Sequence, residues 1–366
     1  MDDDGILADP TTSSRRNFFG AVVSATAASV TVFSTTTEND AALAATPTGA
    51  ELVAPNSLNG KVIVITGGST GLGLESAKAL AKGGANVIVT SRTDAKGQDA
   101  VNAIQDYLKQ QSVSNDKVAH VQLDLDNLEN VKNFPQRFQA KFGNEKIDVL
   151  MNNAGVMAIP DRQLTKDGYE RTFQSNHLGH FVLTSKVMPL LKENGARVIN
   201  VSSLAYNFAG KGLDLDNLNG EREYGAWSSY GASKLQNILF TQELQRRADA
   251  NGIFLTATAL HPGVVNTDLG RNMMGGEEAW YQKKEQGPTN LWENIMQSTI
   301  SKALLTPEQG AATQVYLAIA DSEEKGRFYS DLKPQKLPAF ATDETVAKAL
   351  WSKSEQLSGI QFQLGQ

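Results

Sequence analysis

The stretch "KVIVITGGSTGLGLESAKALAKGG", Lys61 to Gly84, decides how the rest of the chain is read. Its first six residues are a short β-branched apolar run, the mark of a strand buried in a parallel sheet. From Leu72 the apolar positions take helical spacing, and the run closes on Gly83 and Gly84, a helix stop. Between strand and helix lies "TGGSTGLG": Thr66, Gly67, Gly68, Ser69, Thr70, Gly71, Leu72 and Gly73. Gly67, Gly71 and Gly73 suit a backbone that turns tightly and approaches a ligand with no Cβ in the way. The following helix points its N-terminal N–H groups and the positive end of its dipole at that spot, which suits a pyrophosphate. A glycine cluster alone is weak evidence. A strand before it and a helix after it, inside a βαβ unit, supply the context that points to a nucleotide.

The same alternation continues down the chain. Strand-like runs are "NVIVTS", "KVAHVQLDL", "IDVLMNNAG", "ARVINVSS" and "IFLTATALHPG". Helical segments separate them: "AKGQDAVNAIQDYLKQQ", "LENVKNFPQRFQAKFG" with a kink or break at Pro135, one long helix from Gly168 to Asn194, and another from Tyr230 through Arg247. Strands alternating with helices imply an α/β protein, a doubly wound (Rossmann) parallel sheet with helices on both faces. No repeat of 20–50 residues is visible, and no linker splits this body. The expected organisation is a targeting or disordered segment over 1–56 and a single domain over 57–366, with 271–303 as a substrate lid.

Bulk composition narrows the function. An apolar fraction of 40% and a charged fraction of 20% are those of a globular protein able to build a sizeable core. The net charge of −6 argues against nucleic acid as the main partner, because phosphate binding needs a basic face. The absence of cysteine removes disulfides, thiolate catalysis and cysteine-ligated zinc together. His120, His177, His180 and His261 show no metal-ligand spacing. His177 and His180 are placed to share a helix face, but no carboxylate pattern completes a site, and no metal is expected.

The end of the second strand bears on cofactor choice. A dinucleotide fold that prefers NAD usually offers a carboxylate there to the ribose 2′-hydroxyl. This chain has Ser91 and Arg92 instead. A guanidinium grips phosphate bidentately, so the expected cofactor is NADP(H). Asp94 reads as the N-cap of the next helix. Asp124, with Leu125 beside it, closes the third strand and suits either an adenine contact or a helix cap.

In "SSYGASKLQN", Ser228 to Asn237, Tyr230 precedes Lys234 by four residues. On a helix that spacing stacks the two side chains on one face. An ammonium beside a phenol favours the phenolate and lowers its pKa from about 10.

Taken together these residues resemble the short-chain dehydrogenase/reductase family, from about Asn59 to about Lys333. "TGGSTGLG" resembles its cofactor loop, "NNAG" (Asn152–Gly155) its sheet-stabilising turn, "YGASK" its Y-x-x-x-K signature. Asn176 in "FQSNHLGHF" and Ser203 in "VINVSS" match its asparagine and serine, and "HPGVVNTDL" its nicotinamide segment. The flavour is that of the retinol-dehydrogenase-like and WW-domain-oxidoreductase-like group, carried by "NHLGHF", "YGASKLQNILF", "QELQRR" and "LTPEQGAATQVYLA". The resemblance implies hydride transfer between nicotinamide and a carbonyl or alcohol, with Asn176, Ser203, Tyr230 and Lys234 catalytic. Tyr230 is then the acid in reduction, Lys234 tunes it and grips the nicotinamide ribose, Ser203 orients the substrate oxygen, and Asn176 anchors a water. The implied cofactor contacts are Thr66, Gly67, Ser69, Thr70, Gly71, Leu72, Gly73, Ser91, Arg92, Asp124, Leu125, Asn153, Ala154, Gly155, Tyr230, Lys234, Pro262, Gly263, Val265 and Thr267. The substrate expected is a small hydrophobic aldehyde, ketone or alcohol, and a homo-oligomer is compatible with the family. Light-dependent protochlorophyllide reductases also resemble the loop but carry characteristic cysteines, which are absent here. A non-catalytic dinucleotide-sensing scaffold is the other alternative.

The first residues differ in kind. Arg15 and Arg16 precede a mildly apolar, hydroxyl-rich run from Phe18 to Phe33, and "ALA" at Ala42–Ala44 has the form of a processing site. This resembles a twin-arginine export signal, a receptor-read address rather than an anchor. The run is too short and polar to span a bilayer, which takes about 20 apolar residues. Asp2, Asp3 and Asp4 are an acidic start where a basic one is usual. A plastid (thylakoid) or bacterial periplasmic destination follows from the signal, and a cytoplasmic protein with a disordered N-terminus is the alternative.

Overall fold

The computed structural model describes residues 46–114, 116–265, 304–320 and 324–364. The expected export signal, Thr267 and the lid over 271–303 lie outside the described residues. Val53, just before the expected domain start at 57, is buried in the core together with Leu58, within a compact unit that begins at Pro47.

Eight strands form one sheet in the order β3-β2-β1-β4-β5-β6-β7-β8. They are β1 (Val62–Ile65), β2 (Asn86–Ser91), β3 (Val118–Gln122), β4 (Val149–Asn152), β5 (Asn194–Val201), β6 (Phe254–His261), β7 (Phe328–Ser330) and β8 (Lys333–Gln335). All pairings are parallel except β7 with β8. β8 is an exposed edge carrying Lys333 and Pro334, residues that discourage further pairing.

Alternation along β1 explains the two helical layers. Ile63 and Ile65 pack with α1 (Gly71–Lys82) and α2 (Asp94–Gln110) through Leu80, Ile104 and Leu108. Val62 and Val64 face the opposite layer. That layer holds α3 (Leu128–Lys132), α4 (Phe134–Phe142), α5 (Arg171–Phe173), a π-helical turn (Gln174–Leu178), α6 (Gly179–Val187) and the long α7 (Ala226–Ala250). Among the described residues the remaining α-helices are α8 (Pro307–Gly310), α9 (Ala312–Ile319) and α10 (Glu344–Ser358). α10 docks on α6 and α7 through Trp351, whose ring meets Phe181 and Phe240 at centroid distances of 5.1 and 5.8 Å.

Local expectations fail where one or two residues decide the geometry. The helix over 128–143 breaks at Asn133, and Pro135 lies in the first turn of α4, where its missing N–H costs nothing. The helix over 168–194 is interrupted by the π-turn and ends in a 3₁₀ turn, Met188–Leu190, containing Pro189. The N-cap of α2 is Thr93, whose Oγ1 accepts from the Lys96 N–H. Asp94 is the first helical residue instead, its carboxylate at the positive end of the dipole.

β1 pairs with β2 on one side and β4 on the other. The direction of winding therefore reverses between β1 and β4, and a crevice opens beyond their carboxyl ends, the usual ligand position in such sheets.

Candidate active site

The loop after β1 is built as a cradle. Gly67 has φ +62°, and a Cβ there would lie 2.9 Å from the Ala154 Cα. At Gly73 a Cβ would lie 2.5 Å from both Asn153 Nδ2 and the Gly67 carbonyl. Thr70, the N-cap of α1, makes no side-chain capping bond, so the N-terminal donors of α1 face the crevice without one. These features fit a pyrophosphate. The loop is tied to the end of β4 by Asn153 Nδ2, which donates to the Thr66 carbonyl at 2.8 Å. Thr66 Oγ1 accepts from the N–H groups of Asn153 and Ala154 at 2.9 and 3.0 Å. Asn152 serves the sheet, donating to Asn200 Oδ1 (2.8 Å) and Thr184 Oγ1 (3.1 Å).

At the end of β2 the Ser91 hydroxyl donates to the Thr93 carbonyl (2.7 Å) and sits 3.0 Å from His120 Nε2. Ser91 is buried and its hydroxyl is engaged inside the protein. Arg92 is exposed and its carbonyl is held by Gln122 Nε2 at 2.9 Å. Asp124 makes a turn rather than a cap: its Oδ1 accepts from the Asp126 N–H, while Asn127 caps α3. Leu125 is buried, with its carbonyl accepting from Gln174 Nε2.

Tyr230 and Lys234 lie one turn apart on α7, each 4% exposed, with Lys234 Nζ 5.5 Å from the phenol centroid. Small residues around them allow close packing against the ends of β5 and the Asn176 turn. Lys234 Nζ donates to the Val201 carbonyl at 3.1 Å. The Ser202 hydroxyl donates to the Lys234 carbonyl at 2.8 Å. Ser233 Oγ donates to the Tyr230 carbonyl (2.7 Å) and accepts from Asn176 Nδ2 (2.9 Å). Asn176 also exchanges two hydrogen bonds with the Val156 backbone, at 2.8 and 2.9 Å. Both amide hydrogens of Asn176 are thus used within the protein, so its side chain braces the Gly155–Val156 turn against α7 and has no N–H left to hold a water. Gly155 lies between Asn176 and Lys234, where a Cβ would stand 3.1 Å from Asn176 Oδ1 and 3.6 Å from Lys234 Nζ.

Ser203 caps a 3₁₀ turn, its Oγ accepting from the Ala205 N–H at 3.2 Å, and its hydroxyl acts on the Tyr230 phenol in the direction that lowers its pKa. Burial pushes the Tyr230 phenol up to about 12, partly offset by the Ser203 hydrogen bond. The expected downward pull of Lys234 is not among the causes of the shift. Lys234 is itself desolvated, which lowers its pKa to about 8, so burial rather than the cation governs the phenol.

Two histidines that spacing alone did not connect to the site border it. His261 Nδ1 accepts from the Leu204 N–H at 3.3 Å and supports the Ser203 turn. His180 touches Thr66 and Asn176. His177 points elsewhere, to Ser354 Oγ at 2.9 Å among Phe173, Phe181 and Phe240. The π-turn sends the two histidines apart, and they do not share a face. Ser202 and Ser233 were also missed, because their partners are backbone carbonyls and, for Ser233, the distant Asn176 amide, which no spacing rule reveals. Val265 packs where a Gly310 Cβ would also touch Leu72, and Gly263 has φ +88° beside Leu305. Pro262 directly follows β6.

A buried Tyr–Lys pair on α7, a serine turn after β5 and a glycine cradle after β1 define a nicotinamide-type oxidoreductase site. The family pattern of the short chain dehydrogenases matches residues 61–278, and the chain belongs to that family. It is an oxidoreductase that moves hydride between a nicotinamide dinucleotide and an alcohol or carbonyl. Retinol dehydrogenase 12 of Mus musculus is 38% identical over 83% of this chain and 88% of its own length. The Homo sapiens polyprenol dehydrogenase is 34% identical over 82% of this chain and 86% of its own. Among solved structures, an uncharacterised protein from Mycobacterium paratuberculosis aligns with a TM-score of 0.64 at 34% identity, covering 87% of this chain and 99% of that one.

Proposed function

We propose that this protein is an NADPH-dependent reductase of hydrophobic aldehydes or ketones. The observation that carries the reading is the buried phenol of Tyr230, one turn from Lys234 and beside the Ser203 turn at the carboxyl edge of the sheet. With a pKa near 12 the phenol keeps its proton throughout neutral pH, the state that donates to a carbonyl oxygen as negative charge develops there. When bound, the reduced nicotinamide supplies the hydride. Ser203 orients the substrate oxygen through its hydroxyl. Lys234 holds the ribose side of the crevice and helps restore the proton to Tyr230. Asn176 keeps both in place through Ser233 and Val156.

Three features support the finer choices. Arg92 is an exposed guanidinium with no ion pair among the described residues, at the end of the strand where a 2′-phosphate is read. Trp227 stands 6.2 Å from Tyr230 and 5.7 Å from the exposed Phe208, with exposed Leu204 and Val264 nearby in sequence to the site turns. Such an apolar rim suits a hydrophobic substrate. Two relatives are named for retinol and polyprenol, both apolar alcohols. For the first residues, Arg15 and Arg16 before the Phe18–Phe33 run support export through a twin-arginine route.

The test is a panel of aldehydes and ketones, retinal among them, with the purified protein and NADPH, following nicotinamide absorbance. Tyr230→Phe should lose about 10²–10⁴-fold in turnover while still binding NADPH. A Tyr230→Phe protein with undiminished biological output would instead favour a dinucleotide-sensing scaffold.

A further inference from the structure

We propose that His180 is a positioning residue that locks the cofactor loop to the Asn176 turn. The inference rests on the reductase reading, and begins from the hydrogen bonds around one buried ring. His180 is 2% exposed at the second position of α6. Its Nδ1 lies 3.1 Å from the Asn176 carbonyl, and its Nε2 lies 2.9 Å from Thr66 Oγ1.

A carbonyl oxygen can only accept, so Nδ1 carries the proton and Nε2 is a lone-pair acceptor in the neutral ring. Thr66 must then donate its hydroxyl hydrogen to Nε2. That assignment completes Thr66: its two lone pairs take the Asn153 and Ala154 N–H groups and its hydrogen goes to His180 at 2.9 Å in preference to the Met151 carbonyl, the other acceptor in reach at 3.4 Å. An imidazolium would not fit. It would aim a third N–H at an oxygen whose two lone pairs are already used, and leave a buried donor without an acceptor. Burial and the nearby Lys234 charge act in the same direction, holding the ring neutral with a pKa of about 4.

The consequence is mechanical. Thr66 belongs to the dinucleotide cradle, and Asn176 braces Ser233 under Tyr230 and Val156 beside Lys234. One side chain therefore spans the two halves of the site, the half that holds the cofactor and the half that holds the proton donor. Neither half needs His180 to fold, but their relative position depends on it. A ring that only filled space here could be replaced by any aromatic of similar size.

His180→Phe keeps the ring volume and removes both hydrogen bonds, while His180→Gln keeps one donor and one acceptor. We expect His180→Phe to raise the NADPH dissociation constant about tenfold and lower kcat about tenfold, with substrate KM within about twofold. His180→Gln should recover most of both losses. ¹⁵N-histidine NMR of the wild type, with the His180 signal identified by its absence in either variant among the four histidines, should show Nδ1 protonated and Nε2 bare at neutral pH. The proposal is overturned if folded His180→Phe keeps wild-type NADPH affinity and kcat, if the two variants are equally impaired, or if Nε2 carries the proton. Should His180→Phe fail to fold, His180→Gln and the tautomer decide. A wild-type protein that binds NADPH but reduces no carbonyl would sink the reductase reading alone, since the dissociation constants and the tautomer remain measurable.

Discussion

Acid should destabilise this protein well above the carboxylate range; three deeply buried histidines set most of the effect, and His120, also lowered by burial, adds in the same direction. His177, His180 and His261 are 1%, 2% and 6% exposed, and burial lowers their pKa values to about 3, 4 and 4. In the unfolded chain each returns to about 6.5. A depressed folded pKa means the native state binds fewer protons, so the stability these residues confer is complete above about pH 6.5 and is lost as pH falls toward 4. Each contributes a limiting slope of about 1.4 kcal/mol per pH unit, and the three together about 4. Between pH 6.5 and 5.5, where the unfolded imidazoles only begin to saturate, the loss comes to about 3 kcal/mol. A domain typically has about 5–15 kcal/mol in total. Asp148 and Glu243 have lowered pKa values and push the same way, but only below their own unfolded range near pH 4. Glu170, raised by burial, acts in the opposite direction from its unfolded range upward, and so offsets part of the histidine effect. The assay is urea unfolding followed by circular dichroism at pH 7, 6.5 and 5.5. His177→Phe, which removes one titration from the aromatic cluster far from Tyr230, should reduce the slope by about a third. A change below about 1 kcal/mol between pH 6.5 and 5.5, or a slope untouched by His177→Phe, would refute the argument that these rings are buried neutral.

Two further outcomes are expected. Arg92→Asp should reverse or erase the proposed preference for NADPH over NADH by at least about tenfold in dissociation constant, read by nicotinamide fluorescence, because it replaces a guanidinium suited to a 2′-phosphate with a carboxylate suited to a 2′-hydroxyl. Gly73→Ala should weaken dinucleotide binding and cost about 1–3 kcal/mol of stability, since its Cβ would press on Asn153 Nδ2 and the Gly67 carbonyl, each at 2.5 Å and each anchored to the sheet. Binding titration and thermal unfolding of the same variant separate the two effects.

The fold was legible because a parallel sheet advertises itself. "VIVI", "NVIVTS" and "VLMN" each carry a short apolar run, and each lies in the sheet within three residues of its expected bounds. The motif residues also converged where their order suggested: Thr66 and Asn153 bond directly, and Asn176, Tyr230 and Lys234 share one bracket. Less was visible toward the C-terminus. β7 and β8 are three residues each, too short for a periodic signal. The π-turn at Gln174–Leu178 has no composition of its own, so the divergence of His177 from His180 was hidden.

By itself, then, the sequence determined the winding of the sheet and the family and singled out the candidate reacting side chains, since each rests on local periodicity or on motifs a few residues long. Only the tertiary structure decided how those side chains are charged and braced. The phenol of Tyr230 is raised rather than lowered, the amide of Asn176 is committed to Val156 and Ser233, and His180 joins two segments more than a hundred residues apart in the chain. Burial and hydrogen-bond saturation are properties of the surroundings a residue folds into, and those surroundings come from distant parts of the chain.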